Sequence, residues 1–359
     1  MRGRNELAAL LLLCATSVTG SSSASDDALT LIGWGGAYMD AQRNALFTPF
    51  EQSSGSRIAA REYSGDLAAL RAQVAAGSID WDVVAVDEQG ADEGCREGWF
   101  EQLSPRQLPP GLNHTPAEQD FLAPALHDCA VGGSVRALLF FHLDDAFASA
   151  PRSLSDVFDT QKYPGKRALP RSPRGNLEWA LMADGVPASE VYAELQTPGG
   201  ASRAFGKLTR LRPHIVWWRE VPQSVRSLTD GTVTIAAANH EAMAQLIVGT
   251  PVAVVPVWSG QLWEIDYWAI VKGAPRPQTA RKFLAFATGT LQQVEFARVS
   301  AHGPVRRSAL TYTQPSVAAW LPSADGRLEH GLRIDADWWV RNRARLNEQF
   351  REWWRNTQP

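Results

Sequence analysis

Cysteine, histidine and net charge are all scarce in this chain. Three cysteines, seven histidines and a formal charge of −3 stand among 359 residues. The histidines are scattered and none forms a His-x-x-x-His pair, so no metal-ligand spacing appears. The Gly-x-Ser-x-Gly elbow of a serine hydrolase and a phosphate-binding loop are both missing. Gly33-Trp-Gly-Gly36 lacks the third glycine of a dinucleotide fingerprint, and Tyr38 would crowd a pyrophosphate. No metal and no cofactor is therefore expected. Near-balanced charge also argues against nucleic acid, which calls for a basic surface.

The apolar run over residues 7–15 is too short to cross a bilayer, which takes roughly 20 residues. With Arg2 and Arg4 before it and small polar residues after it, it reads as the core of a signal peptide over 1–25, cleavable after Ala24. Export to the periplasm follows as an expectation. Cys14 sits behind Leu13, where lipid attachment asks for a small residue, so a lipoprotein is not expected. Without residues 1–24 the chain keeps 33 basic and 37 acidic residues, a net charge near −4. Cys95 and Cys129 then remain, and in an oxidising compartment they read as a disulfide, with two buried thiols or a metal pair as alternatives.

What is abundant is tryptophan, 14 residues in a chain that is 45% hydrophobic. A mature length of about 335 residues exceeds one ordinary core and predicts two lobes. Strand and helix signals alternate. Residues 29–34, 57–63 and 81–86 read as strands, with helices at 41–53 and 65–77 between them and an acidic loop, Asp87-Glu88-Gln-Gly90, after the third. That order predicts a parallel sheet. Residues 134–143 are another apolar run, 162–169 a turn plus strand marked by Pro164-Gly165, and further strands are expected at 215–218, 232–238 and 263–271. Helices are expected at 176–185, 202–211, 240–247, 278–288, 291–299 and, as a long amphipathic closing element, 335–354. His240-Glu241 reads as helix-terminal polar residues. No repeat or flexible linker appears, so the lobes must be joined by strands that cross between them.

The chemical signal is aromatic residues beside carboxylates at strand ends. Leu29-Thr-Leu-Ile-Gly-Trp-Gly-Gly36 is a buried strand ending in a glycine turn that presents Trp34, and in an open α/β sheet ligands bind at that end. Asp87 and Glu88 follow the third strand. Glu264 and Asp266 lie in the last one, flanked by Trp263, Tyr267 and Trp268. If these loops meet, they form a partly dry, electron-rich box suited to an ammonium, which gains roughly 0.5–2 kcal/mol over an aromatic face. Plainer readings are Trp34 as core, Asp87 and Glu88 as a solvated loop, and Asp266 as an internal partner for an arginine or amide. An exported hydrolase using Asp87 and Glu88 as acid and base is a further alternative, weakened because sequence neighbours diverge and no nucleophile is visible.

The chain resembles the periplasmic spermidine/putrescine-binding proteins of ABC importers, within the wider extracellular solute-binding group. The resemblance rests on Trp34-Gly-Gly-Ala-Tyr38, Trp81-Asp-Val-Val84, Gly94-Cys95 with Asp128-Cys129-Ala-Val-Gly132, and Tyr163-Pro-Gly-Lys-Arg167. It continues through Ala180-Leu-Met-Ala-Asp-Gly185, Pro213-His-Ile-Val-Trp-Trp218, Ile265-Asp266-Tyr267-Trp268 and Gly303-Pro304. It implies an α/β type II periplasmic binding protein, two α/β lobes joined by crossing strands with a ligand cleft between, which handles no reaction of its own. The boundaries expected are 26–140 with 266–315 for lobe 1, 141–265 for lobe 2, and 316–359 for a C-terminal helical segment packed on the lobes.

The partners implied are a small amine and an inner-membrane ABC permease; a monomer is expected. The ligand residues implied are Trp34, Tyr38, Asp87, Glu88, Arg174, Asn239, Trp263, Glu264 and Asp266, with Asp266 holding an ammonium. Two departures stand out. The loop Pro170-Arg-Ser-Pro-Arg-Gly175 is basic where polyamine binders carry carboxylates, and Ala236-Ala-Ala238 ends at Asn239 where they place an aromatic. Arg171 or Arg174 would repel a second ammonium and suit a carboxylate or phosphonate. A zwitterion, 4-aminobutyrate-like or an aminophosphonate, is thus the alternative ligand to a polyamine.

Overall fold

The computed structural model describes residues 28–248, 250 and 252–356. The leader and its cleavage point lie outside them. Among the described residues ten strands form one mixed sheet: β1 (Ala28–Gly33), β2 (Arg57–Glu62), β3 (Val83–Val86), β4 (Leu126–His127), β5 (Ala130–Leu143), β6 (Arg167–Pro170), β7 (Ile215–Trp218), β8 (Ile235–Asn239), β9 (Val254–Ile270) and β10 (Leu332–Arg333). The order is β2-β1-β3-β9-β5-β8-β6-β7, with β10 on β9 and β4 on β5. β1 pairs parallel with β2 and β3, and β6 pairs parallel with β7 and β8. Two parallel α/β halves are thus joined by β5 and β9, which run antiparallel to each other from Val131↔Trp268 to Leu143↔Val254.

β9 is 17 residues long, nearly twice the expected 263–271. Pro256 and Gly260 punctuate its first half and hide the strand from a periodicity reading. Gly260 takes φ +76°, and the β5 register shifts between Leu138 and Phe140, so the ladder is bent here. The expected acidic loop is also corrected. Asp87 caps a helix, Glu88–Arg96, by accepting the Gly90 N–H at 2.8 Å.

Buried carboxylates tie the layers together where apolar packing alone would leave backbone donors unmet. Asp82, fully buried, accepts from the Thr30 and Arg276 N–H groups at 2.8 and 2.7 Å. Glu178 in the second half accepts from Gly175 N–H, the Trp339 indole and the Tyr192 hydroxyl. The closing helix, Ala336–Asn356, buries Trp338, Trp339, Leu346 and Phe350 against Trp179, Leu208 and Ile235. Cys95 and Cys129 form a disulfide with Cα atoms 5.5 Å apart, pinning the helix Glu88–Arg96 to the start of β5.

Candidate functional site

The first turn after β1 builds one wall. Gly35 takes φ +75° and ψ −164°, a backbone conformation that favours glycine. The turn lifts Trp34 onto Tyr63, with ring centroids 6.4 Å apart and planes 26° from parallel. Tyr38, one helical turn on, lies 5.9 Å from Trp34 and 4.7 Å from the His302 ring. Tyr63 donates to the Ala85 carbonyl at the end of β3, fixing the wall to the sheet.

The floor is the crossing strands. Ser134 pairs with Asp266 and Arg136 with Glu264 across β5 and β9, so all four side chains share one face. Arg136 Nε donates to Asp266 Oδ1 at 3.0 Å, and its Nη2 lies 3.3 Å from Glu264 Oε2. Glu264 also receives Arg174, and the Tyr38 hydroxyl lies 3.1 Å from Ser134 Oγ. The opposite wall is the helix His240–Leu246, which presents Glu241, Ala242 and Gln245. Together Trp34, Tyr38, Asp87, Arg136, Glu241, Gln245, Asp266 and His302 enclose about 390 Å³.

The cavity is amphoteric. Burial, reinforced by Glu264 and Glu241 against the pull of Arg136, pushes the Asp266 carboxyl up to about 6. Burial lowers His302 to about 4, so its ring is neutral near pH 7. The Arg136 guanidinium is held firmly protonated, chiefly by Glu264. Glu241 Oε2 is buried with no hydrogen bond. It sits 2.9 Å from His240 Nδ1, but that nitrogen accepts the Ala137 N–H, and Nε2 meets the Ala301 carbonyl. One guanidinium therefore stands among three carboxylates, Asp87, Glu241 and Asp266, beneath two aromatic rings.

Comparison with known proteins places this arrangement. The sequence matches the bacterial extracellular solute-binding protein family over residues 45–323. The chain belongs to that family. This solute-binding protein is 37% identical, over 96% of its length and 95% of the relative's, to the gamma-aminobutyric acid-binding protein of Pseudomonas aeruginosa. Among solved structures it is similar to the Atu4243–GABA receptor (27% identity, TM-score 0.75, covering 91% of this chain and 97% of the other). It is also similar to an ABC transporter substrate-binding protein from Bradyrhizobium japonicum (28%, TM-score 0.76, covering 91% and 99%). The periplasmic binding protein fold is therefore shown.

Of the residues read from the sequence of this solute-binding protein, Trp34, Tyr38, Asp87 and Asp266 line the one cavity. Glu264 and Arg174 meet at its edge as an ion pair. Four others do not join them. Trp263 neighbours Glu264 on a strand and so points to the opposite face, where it lines a separate cavity of about 750 Å³. Glu88 lies there too, paired with Arg333, because the helix that Asp87 caps turns it away. Asn239 ends β8 opposite Leu138 and precedes the helix His240–Leu246 without reaching the cavity. Arg171 stacks on Trp354 of the closing helix, 4.2 Å from the ring centroid. Arg136, Glu241, Gln245 and His302 were missed. Arg136 had a signal, a lone charge in the apolar run of β5; Glu241 needed the fold to bring its helix over the crossing strands.

Proposed function

We propose that this protein is a periplasmic receptor for a zwitterionic ω-amino acid of the 4-aminobutyrate kind, delivered to an inner-membrane ABC permease. The observation that carries the reading is Arg136 standing among Asp87, Glu241 and Asp266. A carboxylate at one end of the ligand engages the guanidinium, and an ammonium at the other meets the carboxylates and the Trp34 and Tyr38 rings. Ligand entry frees Asp266 and Arg136 from each other, so both charges stay paired throughout. Closure of a lobe built on 26–140 and 266–315 over one built on 141–265 would complete the enclosure.

A polyamine fits less well, since it presents a second ammonium to Arg136 with no anion in return. The names of the Pseudomonas relative and of the Atu4243 receptor support the same choice. Calorimetric titration with 4-aminobutyrate, putrescine and spermidine tests it. Micromolar binding of 4-aminobutyrate, on the order of −8 kcal/mol, is expected, with putrescine at least 100-fold weaker, about 2.7 kcal/mol. Tighter binding of either polyamine, or nothing tighter than millimolar from 4-aminobutyrate, defeats the reading.

A further inference from the structure

The second half carries another cavity, of about 390 Å³, that the cleft does not use. Its floor is Phe350 and Trp354 of the closing helix with Pro173, and its rim holds Arg171, Arg351 and the Ser172 hydroxyl. Trp354 carries two guanidinium groups, Arg171 at 4.2 Å and Arg212 at 4.6 Å from its centroid. Among the described residues neither arginine has a carboxylate within ion-pair distance, and Arg212 Nε is buried without a hydrogen bond. On the helix, Glu348 is shared between Arg351 and Arg355, and Glu352 is the other acid on this stretch of it. Positive charge therefore exceeds negative charge around an apolar, aromatic floor. Stacking uses the face of a guanidinium and leaves its in-plane N–H donors for an anion.

We propose that this groove is a second ligand site, for a small flat organic carboxylate. The carboxylate takes the in-plane donors of Arg171 and the Nη1 of Arg351, whose Nε and Nη2 hold Glu348, and the ring rests on Phe350 and Trp354. A volume of this size suits a small molecule. Calorimetry with 2-naphthoate as probe, and sodium phosphate as the anion without a ring, tests it. Submillimolar binding of 2-naphthoate is expected, with phosphate at equal concentration failing to displace it. Arg171→Gln and Arg351→Gln should each weaken the probe at least fivefold in a protein that still melts cooperatively, because both side chains lie at the surface. No binding at millimolar probe, binding undiminished in both variants, or equal competition by phosphate overturns the proposal.

Discussion

On the proposed reading, recognition turns on Asp266 and Arg136, whose charges act in opposite senses. Asp266→Asn keeps shape but removes the anion facing an ammonium. A charge-assisted hydrogen bond contributes about 1.5–3 kcal/mol, so 4-aminobutyrate should bind more than tenfold weaker by calorimetry; unchanged affinity would make Asp266 purely structural. Arg136→Gln should cost 4-aminobutyrate a similar factor while improving putrescine, because the one repelling cation is gone. The pH dependence follows from the raised Asp266 carboxyl, near 6. Below that value the side chain is protonated and cannot pair with an ammonium, so affinity rises with pH through 6. About tenfold weaker binding at pH 5 than at pH 7 is expected, since one pKa unit is a tenfold population change, with proton release on binding near pH 6. The sign for stability is opposite. The folded state holds this proton more tightly than the unfolded chain does, so this group's contribution to stability falls as pH rises from about 4 to 6.

At the scale of elements, Asp87 has two roles that one substitution separates. It caps the helix Glu88–Arg96 through Gly90 N–H, and it lines the cavity. Asn is as good a cap as Asp but carries no charge. Asp87→Asn should keep the melting temperature and lose affinity, whereas Asp87→Ala should lose affinity and about 1 kcal/mol of stability by chemical denaturation. Equal stability in both variants would remove the cap from the account. The periodicity of the strands and helices was legible in sequence because each buries one regular face. The first half of β9 was not, because Pro256 and Gly260 look like turn residues until β5 is laid beside them. The helix start at Asp87 was misread as a loop because its acidic first turn resembles a solvated segment.

For the whole molecule, the aromatic-and-acid wall at Trp34 and Asp266 was readable because strand ends in an α/β sheet converge by topology. Trp263 and Glu88 went to the wrong cavity because strand parity and a helix turn decide which face a residue takes. Arg171 escaped because its partner, Trp354, lies 183 positions on in the chain. The disulfide lies away from the cavity lining. Cys95 and Cys129 join the helix Glu88–Arg96 to the start of β5, within one half, and neither lines the cleft. Closing a loop of sequence separation 34 restricts the unfolded chain. On the chain-entropy view that contributes roughly 3–4 kcal/mol. The proposed closure would not stretch this link, because both of its ends lie in the same half. Replacing both cysteines by alanine should therefore lower the melting temperature by several degrees in calorimetry, while the 4-aminobutyrate dissociation constant at 25 °C stays within twofold. A large loss of affinity in a still-folded variant would mean that the pairing shapes the cleft itself.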